Sequence, residues 1–193
     1  MTDDLWVFAY GSLIWRPGFS YGERVRGRLD GYRRSFCMES IHYRGTEAAP
    51  GLVLALDPQP DSCCEGMALR VPAAEAADVL AYLRERELIS YAYVEEWLDL
   101  TLEDGRIVQA VAYVINKANR QYCGDLDRAT QARIIARAHG SAGPNADYLF
   151  TTVAHLEQIG CPDAEMIALA EEVRRIRGQE GAANDSAPQT GAN

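Results

Sequence analysis

The sequence predicts an α+β domain: a small mixed β-barrel, closed or nearly closed, with one crossing helix and a set of C-terminal helices. Three observations predict it. Strand-like segments separated by turns fill the chain as far as Val71. One amphipathic pattern, about Ala73 to Glu87, then leads to two more strand-like runs. From about Asp125 the apolar spacing is helical. The length of 193 residues and hydrophobic content of 48% suit a single domain with a sizeable core. That domain is expected over residues 1–178. Residues 179–193, rich in Gly, Ala, Asn, Ser and Gln, read as a disordered tail.

Each element has its own reason. Leu5-Trp6-Val7-Phe8-Ala9 is a continuous apolar run that Tyr10-Gly11-Ser12 ends, the pattern of a buried strand. Arg16-Pro17-Gly18-Phe19 is a turn-rich loop. Between Arg24 and Ser40, Tyr32, Arg34, Phe36 and Met38 fall on alternate sites, as on a half-buried strand, and Gly27 and Gly31 mark bulges or close approaches. Ser40 to Gly51 reads as a loop, Leu52 to Leu56 as a short strand, Pro58 to Ser62 as a polar turn and Cys64 to Val71 as another strand. Pro72 opens a helix over about Ala73 to Glu87, with Val79, Leu80 and Leu83 on one face. Glu103-Asp104-Gly105-Arg106 joins strands expected at about Tyr93 to Thr101 and Ile107 to Ile115. Asn119 to Gly124 is a loop. Asp125 or Asp127 can cap a helix ending at Gly140. Gly143-Pro144-Asn145 starts a second that ends at Gly160, and Pro162 starts a third that ends near Gly178.

The bulk numbers exclude several classes of function. A net charge of −9 argues against general nucleic-acid binding. The acidic N-terminus before a short apolar run does not have the form of a signal peptide, and no stretch approaches the length of a membrane span. The five cysteines, an odd number, show no zinc spacing, and the three histidines form no metal-ligand motif. A reduced cytoplasmic protein is the expectation. The basic residues are arginines except for Lys117, and Arg suits bidentate carboxylate recognition.

The stretch that organises the chain is Leu5 to Trp15. Gly11 permits a sharp turn and close approach of a ligand, and the N–H groups of Gly11, Ser12 and Leu13 can converge on one oxygen. An ordinary turn after a buried strand is the plainer alternative. Arg84-Glu85-Arg86-Glu87 reads as a solvated helix end. Glu87, however, precedes the apolar turn Leu88-Ile89-Ser90, where a partly desolvated carboxylate becomes a usable acid and base. Arg44 is a candidate carboxylate partner or a surface ion-pair residue, and Tyr148 stands at the edge of a helical apolar face. Ser12 with His42 or His139 could mimic a hydrolase dyad, but the sequence has no nucleophile-elbow motif.

Tyr10-Gly11-Ser12-Leu13 at the end of a first strand resembles the signature of the γ-glutamylcyclotransferase superfamily. The longer string Trp6 to Trp15 resembles its ChaC branch, which acts on glutathione. Arg86-Glu87 with Tyr93, Arg44-Gly45-Thr46 with Pro50-Gly51, and Asn145-Ala146-Asp147-Tyr148-Leu149-Phe150 resemble further family strings. The resemblance implies the same barrel and a water-free reaction, in which the α-amine of a γ-glutamyl peptide attacks its own γ-carbonyl and releases 5-oxoproline. It chooses Glu87 over Glu85 as the catalytic acid/base. It implies that the backbone of Val7, Ala9, Tyr10, Gly11, Ser12 and Leu13, with Arg44 and Tyr148, holds a small-molecule substrate. No metal or organic cofactor follows from that scheme. Other γ-glutamyl compounds, or a non-catalytic binding module of the same fold, are the alternatives. One departure stands out: Tyr91-Ala92 replace glycines that the family often has before the tyrosine.

Overall fold

The computed structural model describes residues 3–185. β1 (Leu5–Ala9), β2 (Glu23–Ser40) and β3 (Gly51–Val71) come first, and α1 (Ala73–Glu87) then crosses to β4 (Tyr93–Leu102) and β5 (Ile107–Ile115). The remainder is helical: α2 (Arg128–Arg137), α3 (Asn145–Gln158) and α4 (Ala164–Asp185). The five strands close into a barrel in the order β1-β3-β2-β4-β5, so the expected mixed barrel is what forms. β1 runs antiparallel to β3 (Val7 opposite Leu69) and parallel to β5 (Val7 opposite Val111). A strand paired on both edges inside a packed barrel has no solvent face, and β1 is accordingly buried along its whole length. Among the described residues no helix is long and apolar enough to cross a membrane.

Gly27 and Gly31 do what their positions suggested. A Cβ on Gly27 would lie 3.0 Å from Leu100, so glycine lets β2 and β4 meet where Gly27 faces Leu102. Gly31 has φ +80° and sits where the β2–β3 register shifts. Gly105, at φ +87°, turns the β4–β5 hairpin.

Four boundaries differ from expectation. The polar turn at Pro58 to Ser62 does not end a strand. It is an exposed bulge within β3, because β2 pairs on both sides of it: Tyr32 faces Pro58 and Asp30 faces Cys63. The helix capped through the Asp127 side chain, which accepts from Thr130 N–H, stops at Arg137 rather than Gly140. There His139-Gly140 pairs with Gly143-Pro144. Pro162 precedes the last helix instead of opening it, since the Asp163 carboxylate accepts from Met166 N–H at 3.1 Å and acts as the cap. That helix continues through Gly178 to Asp185. A glycine there meets no steric obstacle, and Glu180 still pairs with Arg137 at 2.8 Å. Residues 179–185 of the expected tail are therefore helical, and 186–193 lie outside the described residues.

Candidate active site

β1 leaves its ladder after Ala9, and Tyr10-Gly11 carries the chain into a single 3-10 turn, Ser12–Ile14. The Gly11 carbonyl accepts from Ile14 N–H at 2.9 Å, and the Ser12 carbonyl accepts from Arg16 N–H at 2.9 Å. Among the described residues, no acceptor meets the N–H groups of Gly11, Ser12 or Leu13. Gly11 and Leu13 are buried. Successive unpaired donors in a buried turn are rare, because each one forgoes a hydrogen bond, and they form a binding place for a partly negative oxygen. Gly11 has φ −137°, so no left-handed backbone demands glycine. A Cβ there would sit 3.5 Å from the Tyr148 hydroxyl and 3.8 Å from Leu54, ordinary contact distances. The fold would tolerate alanine; what the missing side chain preserves is room beside the unpaired donors.

Glu87 is the last residue of α1, and its side chain is 18% exposed, whereas Glu85 is exposed. Burial raises the Glu87 carboxyl above the ordinary carboxylate range, and the neighbouring Arg86 cation opposes that shift. Arg86 Nε lies 3.0 Å from Glu87 Oε1. The same guanidinium donates to Ser12 Oγ at 3.1 Å and to the Arg16 and Pro17 carbonyls at 2.7 and 3.1 Å. One arginine thus ties the carboxylate to the turn that carries the free donors. Sequence reasoning placed Arg86 beside Glu87 but gave it no task. The signal available was only that Arg, unlike Lys, has a fork able to serve several acceptors.

The charge of this carboxylate reaches four tyrosines. Tyr10, Tyr93, Tyr113 and Tyr148 are all raised above the usual phenol range by burial first, and the Glu87 charge adds to each. Tyr10 donates to the Tyr113 carbonyl at 2.7 Å and Tyr93 to the Leu54 carbonyl at 2.7 Å. These hydroxyls take one carbonyl of β5 and one of β3, and they stay protonated at neutral pH. The Tyr148 ring packs edge-on against Phe36 with centroids 6.1 Å apart, and Arg44 lies over it at 5.7 Å.

Arg44 sits in the Ser40–Gly51 loop and donates to the Pro144 carbonyl at 3.0 Å. Among the described residues it has no carboxylate within ion-pair distance. It is therefore not the surface ion-pair residue of the alternative reading. The loop is pinned against α3 by buried Asn145, whose amide accepts from Leu52 N–H and donates to Leu52 O, both at 2.7 Å. Gly45 and Gly51 allow this approach: a Cβ on Gly51 would stand 2.2 Å from the Arg44 carbonyl. Asn145 so brings Arg44 and Tyr148 to the same place.

The structure brings Tyr10, Gly11, Ser12, Leu13, Glu87, Arg44 and Tyr148 to one end of the barrel. Val7 and Ala9 lie deeper. Both are fully buried, with Val7 between Leu69 and Val111 and Ala9 opposite Met67. His42 and His139 are exposed, and Ser12 Oγ is engaged by Arg86, so no hydrolase dyad forms. Among the described residues no group of three His, Cys, Asp or Glu is placed to hold a metal ion. Tyr91 is exposed and adopts φ +54°, the backbone of a glycine, while Asn116 donates to its carbonyl at 3.1 Å. The departure at this position thus keeps the glycine-type turn and adds a ring to it.

The family model described as ChaC-like protein matches residues 5–176. The chain belongs to the ChaC-like family. It is 34% identical over 172 residues to the glutathione-specific γ-glutamylcyclotransferase of Escherichia coli (strain K12), covering 89% of this chain and 74% of that one. It is 30% identical to the glutathione-specific γ-glutamylcyclotransferase 1 of Homo sapiens, covering 88% of this chain and 78% of that one. Among solved structures, the γ-glutamyl cyclotransferase specific to glutathione from yeast superposes with a TM-score of 0.83 at 25% identity, covering 92% of this chain and 98% of that one. The ChaC-like fold therefore accounts for both the barrel and the helices around it.

Proposed function

We propose that this ChaC-like chain is a glutathione-specific γ-glutamylcyclotransferase that acts as a single domain. The observation that carries the reading is the pairing of a sequestered carboxylate, Glu87, with a turn of three unengaged N–H donors, joined through Arg86. Such a pair handles a proton and a developing oxyanion, and the reaction needs both.

The substrate supplies its own nucleophile. Its α-amine attacks the γ-carbonyl carbon, a C–N bond forms, and a five-membered lactam closes. The C–N bond to cysteine then breaks. The products are 5-oxoproline and Cys-Gly, and water is not consumed. Tethering makes the attack intramolecular, which removes much of the entropic barrier. Glu87 takes the proton from the α-ammonium and returns it to the departing amine. The N–H groups of Gly11, Ser12 and Leu13 hold the oxyanion on the γ-oxygen, an effect worth about 3 kcal/mol for one donor. Ser12 Oγ accepts from Arg86, and the scheme asks no nucleophilic role of it. Arg44 takes a substrate carboxylate with its fork, and the Tyr148 hydroxyl lines the same site beside it. Val7 and Ala9 act through the ladder that fixes Tyr10. The five free cysteines fit a reducing compartment, and we place the enzyme in the cytoplasm.

The test is release of 5-oxoproline from glutathione, γ-glutamyl-alanine and γ-glutamyl amines. Glutathione is expected to have the highest kcat/KM. A preference for the dipeptide would remove the glutathione assignment and keep the cyclotransfer. No release from any of them would remove both.

A further inference from the structure

Arg34 is an arginine on the inward-alternating face of β2, between Tyr32 and Phe36, and its side chain is only 4% exposed. A buried cation is costly unless its donors are satisfied. Three acceptors satisfy it. Arg34 Nε donates to the Tyr10 carbonyl at 2.6 Å, Nη1 to Asp163 Oδ2 at 3.2 Å, and Nη2 to the Glu65 carbonyl. The first of these bonds falls on the peptide that enters the donor turn. The Tyr10–Gly11 peptide is trans, so its N–H points opposite to its carbonyl. With the carbonyl drawn to Arg34, the Gly11 N–H is turned to the other side, where no protein acceptor meets it.

We propose that Arg34 is a positioning residue for the oxyanion: its buried guanidinium fixes the Tyr10–Gly11 peptide plane and aims the Gly11 N–H at the reacting carbonyl. The inference rests on the cyclotransfer reaction proposed above. Two effects act together. Asp163 and the Glu65 carbonyl hold the fork rigid, so the peptide cannot rotate to satisfy its own N–H elsewhere. The cation also draws electron density from the carbonyl, and hydrogen bonds in such a chain strengthen one another, so Gly11 N–H becomes a better donor. Neither effect concerns ground-state binding of the γ-glutamyl group. Both strengthen as negative charge develops on the oxygen, and they belong to kcat rather than KM.

The experiment compares Arg34→Met, Arg34→Lys and Asp163→Asn in 5-oxoproline release from glutathione. Arg34→Met is expected to lower kcat about 100-fold, the loss typical of one oxyanion donor, with KM within about threefold. Arg34→Lys, which can still bond the Tyr10 carbonyl, should recover most of this and stay within about tenfold of wild type. Asp163→Asn can keep the helix cap through Oδ1, but its NH2 then faces Arg34 Nη1 and frees one arm of the fork, so kcat should fall part of the way, about three- to tenfold, at constant KM. An Arg34→Met protein with wild-type kcat, or a loss that falls on KM with kcat unchanged, would overturn the proposal. If Arg34→Met does not fold, Arg34→Lys decides: a three- to tenfold lower kcat at constant KM supports the role, and an unchanged kcat overturns it. Wild-type activity is read first. No release from any γ-glutamyl compound would overturn the reaction and this inference with it. Normal release with unaffected Arg34 variants would overturn the inference alone.

Discussion

Replacing Glu87 by Gln isolates proton transfer from shape. The amide is isosteric with the carboxylate but cannot accept a proton, and Arg86 keeps its bonds to Ser12, Arg16 and Pro17. The α-ammonium of a γ-glutamyl group sits beside a free α-carboxylate, which holds its pKa above the roughly 8 of a peptide N-terminus, so at pH 7 less than about a tenth of the substrate is free amine. Losing the base in the binding step therefore costs at least about tenfold. Losing the acid adds to this, because an amine expelled from an amide must be protonated as it leaves. Together the loss falls in the range of about 10²- to 10⁴-fold in kcat that positioned acid–base groups supply. Stability should move the other way. Burial raises the Glu87 carboxyl, so the folded state holds that proton more tightly than the unfolded chain does. The ionised form is then a cost to folding. That cost is fully present above the folded pKa, fades as the pH falls through it, and vanishes below the unfolded value. Glu87→Gln should thus be at least as stable as wild type at pH 7, with the difference disappearing in acid. Kinetics of 5-oxoproline release and thermal melts from pH 4 to 8 measure both, with exposed Glu85→Gln as the control. A Glu87→Gln enzyme retaining a tenth of wild-type kcat, or an inactive Glu85→Gln, would refute the assignment.

Other outcomes follow from the same geometry. Arg44→Ala should lower kcat/KM for glutathione about 10- to 150-fold, the worth of a charge-assisted hydrogen bond, and Arg44→Lys should restore part of it; steady-state kinetics on both variants check this. Gly11→Val should lose at least about 100-fold in kcat/KM for 5-oxoproline release; Gly11→Ala, whose Cβ meets only ordinary contacts, should lose less. Tyr91→Gly relieves a left-handed residue and should raise stability by up to about 1 kcal/mol in denaturant melts; any accompanying change in the ratio of glutathione to γ-glutamyl-alanine turnover reports whether the Tyr91 ring touches substrate.

What could be read from the sequence was what local pattern encodes. The apolar run of β1, the amphipathic stretch of α1 and the Asp104-Gly105 turn each declare themselves within a few residues, and their bounds match. The bulge at Pro58 to Ser62 was misread because its local chemistry is that of a turn. Continuity there is imposed by β2, which holds both flanks in register. The site divides the same way. Glu87, Gly11 and Tyr148 were legible through short strings, whereas the groups that aim them were not. Arg86 reaches Ser12 across 74 residues, Asn145 reaches Leu52 across 93, and Arg34 reaches Asp163 across 129. A polar side chain's partner at such range leaves no periodicity in the sequence.

The placement of the site follows from the closure of the barrel. β1 has neighbours only as far as Ala9, and β3 has a strand partner on both edges only at Leu56 and beyond Gly66. Where those ladders stop, the barrel end exposes backbone groups that must find partners or remain a cost to folding. The protein satisfies most of them with side chains: Asn145 on Leu52, Tyr93 on Leu54, Arg34 on Tyr10 and Glu65. Among the described residues, the donors at Gly11, Ser12 and Leu13 have no acceptor. A buried N–H without a partner costs about 1–3 kcal/mol, so these donors tax the free enzyme and are relieved when an oxyanion arrives. The buried Glu87 carboxylate follows the same logic, since its ionised form costs stability until it receives a proton. In the proposed reaction both costs are lifted at the same stage, when the α-amine has lost its proton to Glu87 and the γ-oxygen has gained charge. A site strained in this way in the free protein is matched to the transition state rather than to the substrate.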